Sequence, residues 1–210
     1  MRIAVIGAGN VGGALAAAAT RAGHHVVLSA SDPANARQVA QRTGAGAAAG
    51  NAEAVQGADA VVLAVPHGAV AGVVTELGTA LAGMIVVDAT NPLNESYSDL
   101  TTTVESAAER LQERAPEARV VKALNTVFAS RYANPSEGGQ PLTALLAGDD
   151  ADAKATVSQL VESLGFRPVD AGSLRMARSL EEMAFLNIRL NAANGWTWQS
   201  HFPLVGPTAA

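Results

Sequence analysis

Short, wholly apolar runs alternate with longer segments whose apolar positions recur every three to four residues, and the alternation continues through roughly the first three-fifths of the chain. Ile3 to Ile6 is the first run, closed by Gly7. A run that is apolar at every position predicts a strand covered by helices on both faces, as in a parallel sheet. A helix is expected from Asn10 to Ala22, stopped by Gly23, and a second strand from His25 to Ser29, which together start a right-handed strand–helix–strand unit. Asp32 and Pro33 read as the cap and first residue of the next helix, which carries Arg37, Val39 and Arg42. Further strands are expected at Ala60 to Val65, Ile85 to Val87 and Val120 to Val121, with a polar helical stretch from Thr101 to Arg114 before the last of them. Beyond Asn125 a loop rich in Pro, Gly and Ser leads to a strand at Leu142 to Leu146, a helix at Asp150 to Leu164 and a short strand at Arg167 to Val169. An amphipathic or nearly buried helix from Leu174 to Trp198 ends the pattern.

The turn between the first strand and helix sharpens this picture. Gly7-Ala-Gly-Asn-Val-Gly12 is a G-x-G-x-x-G sequence standing directly between a strand and a helix, the context that gives this otherwise common motif its meaning. Gly7 allows the tight turn, Gly9 lets a pyrophosphate approach the backbone, and Gly12 lets the helix pack close on the strand. The free N–H groups around Asn10 and Val11 then face an anion. The expected fold is therefore α/β: a Rossmann-type, doubly wound, mostly parallel sheet with a smaller C-terminal α/β appendage ending in a long helix. The expected division is a dinucleotide-binding domain over residues 1–124 and a smaller C-terminal domain over residues 125–210 that covers the active-site cleft.

Composition narrows the chemistry. The 210 residues include no cysteine, so disulfides, thiolate nucleophiles and cysteine-bound metals are excluded, and any redox chemistry must come from a coenzyme. A formal charge of −5 with no basic block gives nucleic acid no electrostatic footing, so small molecules are the expected partners. The apolar run before Gly7 is too short for a signal peptide. Pro66, His67 and several glycines interrupt the apolar stretch after Asp59, so no membrane partner and a cytoplasmic location are expected. Trp196, Trp198 and Phe202 cluster near the C-terminus and suggest a homodimer contact.

In open α/β sheets coenzymes lie at the carboxyl ends of the strands. Ala64-Val65-Pro66-His67, Asp88-Ala-Thr-Asn91-Pro92 and Lys122-Ala-Leu-Asn125-Thr126 all reach that edge. His67 and Lys122 are the candidate proton donors, and no metal constellation is readable. At the end of the second strand, Ser29-Ala30-Ser31 offers hydroxyls and the start of a helix to a phosphate. Asp32 is placed as a helix cap rather than a ribose-binding acid, so the reading leans to NADP without excluding NAD.

The order of these segments, with Arg131-Tyr-Ala-Asn134, Ala147-Gly-Asp-Asp150 and Gly165-Phe-Arg-Pro-Val-Asp-Ala-Gly172, resembles the coenzyme F420-dependent NADP oxidoreductase family almost end to end. The resemblance implies hydride transfer between a nicotinamide dinucleotide, NADPH favoured, and a deazaflavin (F420) or flavin. It places Gly9 to Gly12 on the pyrophosphate, Ser29 to Ser31 near the adenosine phosphate, Val65, Pro66 and Asn91 along the nicotinamide, and Asn125 and Thr126 beside the second ring. Ser31 stands where the family has an arginine, and His67 where it has a bulky aromatic. Two alternatives stay open: an NAD(P)H-dependent reductase of a small carbonyl or imine, and a dinucleotide-sensing module without turnover.

Overall fold

The computed structural model describes residues 1–102 and 104–206. Residue 103, within the stretch expected to be helical, and residues 207–210, within the expected C-terminal unit, lie outside the described residues. An eight-stranded sheet runs through the molecule in the order β10-β9-β6-β5-β4-β1-β2-β3. Its strands are β1 (Arg2–Ile6), β2 (His25–Ser29), β3 (Gly46–Ala47), β4 (Ala60–Leu63), β5 (Ile85–Asp88), β6 (Arg119–Ala123), β9 (Thr143–Gly148) and β10 (Arg167–Asp170). The parallel order breaks between β6 and β9, which pair antiparallel, and β10 lies parallel to β9, so these two strands run against the other six. A separate two-stranded ribbon, β7 (Ser136–Glu137) with β8 (Gln140–Pro141), occupies the loop before β9.

Alternate residues of each central strand feed two apolar layers. Ile3 and Val5 pack into a cluster with Leu15, Ala19 and Phe166, whereas Ala4 and Ile6 join Val70, Val74 and Leu111 on the other face. That two-sided burial is why the strands read as unbroken apolar runs. Helices α1 (Asn10–Arg21), α2 (Pro33–Thr43) and α6 (Ala151–Ser163) cover the first face. α4 (His67–Leu77) and α5 (Ala107–Arg114) cover the second, with the short α3 (Asn51–Ala54) beside them and α7 (Ala177–Asn194) packed against α5 and β9.

The expected helix from Thr101 to Arg114 is confined to Ala107–Arg114. Ser106 starts it with a capping box, its Oγ accepting from Glu109 N while the Glu109 carboxylate accepts from Ser106 N. The last expected helix, Leu174 to Trp198, also shortens: Leu174–Met176 is a 3-10 turn and α7 stops at Gly195, whose φ of 64° suits a glycine C-cap. The sheet continues without a break past Asn125 into β9 and β10, and the first apolar cluster spans both parts.

Candidate functional site

β1 has β2 on one side and β4 on the other, so the chain order reverses beside it and a crevice opens at the carboxyl ends of these strands. The glycine turn sits there. Gly7 has φ of 114°, and a Cβ on it would collide with the Ala64 carbonyl; a Cβ on Gly12 would collide with the Gly7 carbonyl. Both glycines are thus required by the fold itself. Gly9 differs, because a Cβ there meets no protein atom within 4 Å. α1 starts at this point with no side-chain cap and no acidic residue in its first turn, so its first N–H groups and the positive end of its dipole face the crevice. The turn is held from behind by Gly7 N, which donates to Ser29 O at 2.8 Å.

Ser29 itself faces inward. It is fully buried and its Oγ donates to Asn51 Oδ1 at 2.7 Å, which corrects the expectation that its hydroxyl meets a phosphate. Ser31 is exposed, and Ala30 half-buried. Asp32 caps α2 as expected, its Oδ1 accepting from Ala34 N at 2.9 Å.

From the glycine turn a cleft of about 1060 Å³ extends over the ends of β4, β5 and β6. Gly9, Asn10, Val11, Ala64, Val65, Pro66, His67, Asn91, Asn125 and Thr126 all line it, so most of the residues singled out in the sequence meet in one place. Pro92 does not. It is buried, and its carbonyl accepts from Thr101 N and Oγ1, closing the neck of the loop that follows. Asn91 and Asn125 clamp each other across the strand ends: Asn91 Nδ2 donates to Asn125 O, and Asn125 Nδ2 donates to Asn91 Oδ1, both at 2.9 Å. The second Asn125 amide contact, at 3.1 Å to Leu180 O, ties this floor to α7. Leu124, just before, is buried with φ of 65°, a left-handed conformation that persists only where packing over-determines it.

Lys122 is no proton donor to this cleft. Its ammonium is sealed beneath the floor, 2.9 Å from both Asp88 Oδ2 and Glu181 Oε1, and it donates to Thr90 O at 2.7 Å. Burial alone would lower its pKa, but the two carboxylates and their hydrogen bonds prevail and hold it above the ordinary lysine value. Burial pushes the Glu181 carboxyl up, and Lys122 with the Ala107 N–H only partly offsets it. Sequence reasoning missed this centre, although Asp88 and Lys122 are register partners in β5 and β6. Glu181 carried no such signal, because nothing local says that this turn of α7 lands on the sheet edge.

His67 is the first residue of α4 and reaches the cleft wall. Burial lowers its pKa first of all; Asp88 opposes this, and Lys122 and Arg110 add to it, so the imidazole is neutral near pH 7. Its Nδ1 is buried without a hydrogen-bond partner among the described residues. The remaining wall comes from residues the sequence did not single out: Leu93, Asn94, Glu95 and Tyr97 on the loop after β5, Phe128 and Ala129 after β6, and Ala184, Asn187 and Ile188 on α7. Among the described residues no group of His, Asp and Glu could hold a metal ion, and no helix is long and apolar enough to cross a membrane.

A doubly wound sheet with an uncapped glycine turn opening into an amide-lined cleft defines the class, that of Rossmann-type dinucleotide-binding proteins. Within that class the sequence profile described as NADP oxidoreductase, coenzyme F420-dependent, matches residues 2–92. The F420-dependent NADP reductase of Methanothermobacter marburgensis is 32% identical over 213 residues, covering 92% of this chain and 94% of that protein. The chain belongs to the F420-dependent NADP reductase family. A crystal structure from Arthrobacter sp. FB24, of a protein proposed to be an F420-dependent NADP-reductase, superposes with a TM-score of 0.88 at 34% identity, over 97% of this chain and 99% of that one. The rat metalloreductase STEAP3 is 39% identical over 106 residues, half of this chain, and the match spans 21% of that protein.

Proposed function

We propose that the chain transfers a hydride between the nicotinamide of NADP(H) and a deazaflavin (F420) or flavin-type acceptor bound in the same cleft. One observation carries this reading: the glycine turn and a cleft large enough for a second ring system are continuous, and the residues shared between them are Gly9, Asn10 and Val11. A bound dinucleotide would supply the hydride, and the acceptor would take it up together with a proton from water.

The protein has little chemistry of its own to perform. Gly9 to Gly12 and the start of α1 hold the pyrophosphate, with Ser31 at the adenosine phosphate. Val65, Pro66 and Asn91 bound the nicotinamide, and the Asn91–Asn125 clamp with Thr126 fixes the floor on which the second ring lies. The titratable side chains along the cleft are His67, Glu95 and Tyr97, and the first of these is neutral near pH 7. Ring-to-ring hydride transfer needs no more. α7 and the segments after Asn125 act as the cover of the cleft, and Leu186 on α7, with the exposed apolar residues that follow the helix, forms a homodimer contact.

The test follows NADPH oxidation by absorbance against oxidised 8-hydroxy-5-deazaflavin, FMN and a panel of cyclic imines and small carbonyls, then repeats it with NADH. Turnover with a tricyclic acceptor and a preference for NADPH are expected. Turnover confined to the imines or carbonyls, or none with any acceptor, would overturn the reading.

A further inference from the structure

The loop that follows β5 is more tightly built than an idle connection needs to be. Its neck is closed by Thr101 N and Oγ1 on Pro92 O and by a bridge between Leu93 and Leu100. Its tip is organised around Asn94. The Asn94 Oδ1 accepts from Ser98 N at 2.9 Å and from Ser96 Oγ at 3.1 Å, its Nδ2 donates to Ser98 Oγ at 3.0 Å, and its carbonyl accepts from Tyr97 N at 2.9 Å. These contacts fix Tyr97 at φ of 55°, a left-handed conformation that is unfavourable for an aromatic residue. The residue is 63% exposed, and among the described residues it takes no part in the close aromatic pairs, Phe128–Trp198 and Tyr132–Phe166. It stands at the wall of the cleft.

Strain of this kind persists where the surroundings impose it and concentrates at ligand clamps. A tyrosine presented on a stiffened loop supplies a large flat surface at little conformational entropy cost. We infer that Tyr97 is a specificity-determining residue that stacks on the acceptor ring and selects extended planar heteroaromatic acceptors over small imines and carbonyls. This inference rests on the two-ring reading of the cleft. Its ring is the outer plate, the nicotinamide the inner one, and the acceptor lies between them. A small imine would leave most of the tyrosine face uncovered and so derive little from it.

The strain makes the inference separable from a structural role. Tyr97→Gly removes an exposed ring and relieves the positive φ, so its melting temperature should equal or exceed that of the parent protein. Its affinity for oxidised 8-hydroxy-5-deazaflavin, measured by fluorescence titration of the NADP-loaded protein, should fall about five- to twenty-fold. Tyr97→Phe should bind within about twofold of the parent, and NADPH affinity should be unchanged in both variants. Unaltered deazaflavin affinity in Tyr97→Gly would overturn the inference while leaving the proposed reaction intact. Loss of affinity in Tyr97→Phe, or a lowered melting temperature in Tyr97→Gly, would equally overturn it, by assigning the residue to hydroxyl bonding or to folding. A parent protein that binds neither oxidised 8-hydroxy-5-deazaflavin nor FMN would overturn this inference and the proposed function together.

Discussion

The three glycines of the turn occupy one motif for two different reasons. Gly7 and Gly12 are demanded by atoms of the protein, so replacing either with alanine should cost folding before it costs binding. Gly9 meets no such atom, and the proposed site assigns it to the pyrophosphate. Gly9→Ala is therefore expected to keep its melting temperature within about 2 °C, since its Cβ lies in open space and the N-cap position tolerates the change at a modest cost. Its NADPH affinity should fall about tenfold or more, read by fluorescence titration, because the methyl occupies the path of the pyrophosphate. An unchanged affinity would remove the pyrophosphate from this turn. In the sequence the motif's context alone assigns these three roles; the neighbours of each missing Cβ name the atoms that exclude a side chain at Gly7 and Gly12, and show none at Gly9.

At the scale of elements, the buried Lys122 centre joins β5, β6, α5 and α7. Asp88 and Lys122 come from adjacent strands, Glu181 from α7, and both Glu181 oxygens accept from Ala107 N at the start of α5. Lys122→Ala strands two carboxylates in a dry site, a defect of roughly 3–5 kcal/mol. The pH dependence has a definite sign. Without the ammonium, the Glu181 carboxyl is pushed further above its unfolded value, so the native state binds a proton more tightly than the unfolded state does. Stability of the variant then falls as pH rises from the ordinary glutamate range through that raised value. Denaturant melts should accordingly show the deficit against the parent protein to be larger at pH 8 than at pH 5; a deficit independent of pH would contradict the account. The same centre shows where reading the sequence runs out. The strands, their apolar runs and the capping of α2 by Asp32 follow from local pattern, because burial on both faces and N-cap geometry leave marks on neighbouring residues. Docking of α7 leaves no local mark, so Lys122 was legible as a strand-end charge and illegible as a partner of Glu181.

For the whole molecule, the distribution of apolar surface decides what surrounds the site. Of the nine large hydrophobic residues that are exposed among those described, seven lie between Met176 and Val205: Met176, Leu186, Trp196, Trp198, Phe202, Leu204 and Val205. The segment after α7 is nevertheless firmly seated. Trp198 N donates to Asn191 Oδ1, Ser200 Oγ to Asn187 Oδ1, and Ser130 Oγ to Trp198 O, so this surface is held in shape rather than collapsed. Apolar surface that is both concentrated and ordered suits association of two copies, each presenting α7, as in isologous dimers. Asn187 and Ile188 line the cleft on the same helix that exposes Leu186, which would place a dimer contact directly behind the acceptor wall. Light scattering at micromolar concentration is expected to return twice the chain mass. Leu186→Glu, a change at an exposed position and so tolerated by the fold, should return the single-chain mass with acceptor KM raised, because the acceptor wall is part of α7. A parent protein that is monomeric at that concentration would exclude the dimer and leave α7 to shape the cleft alone.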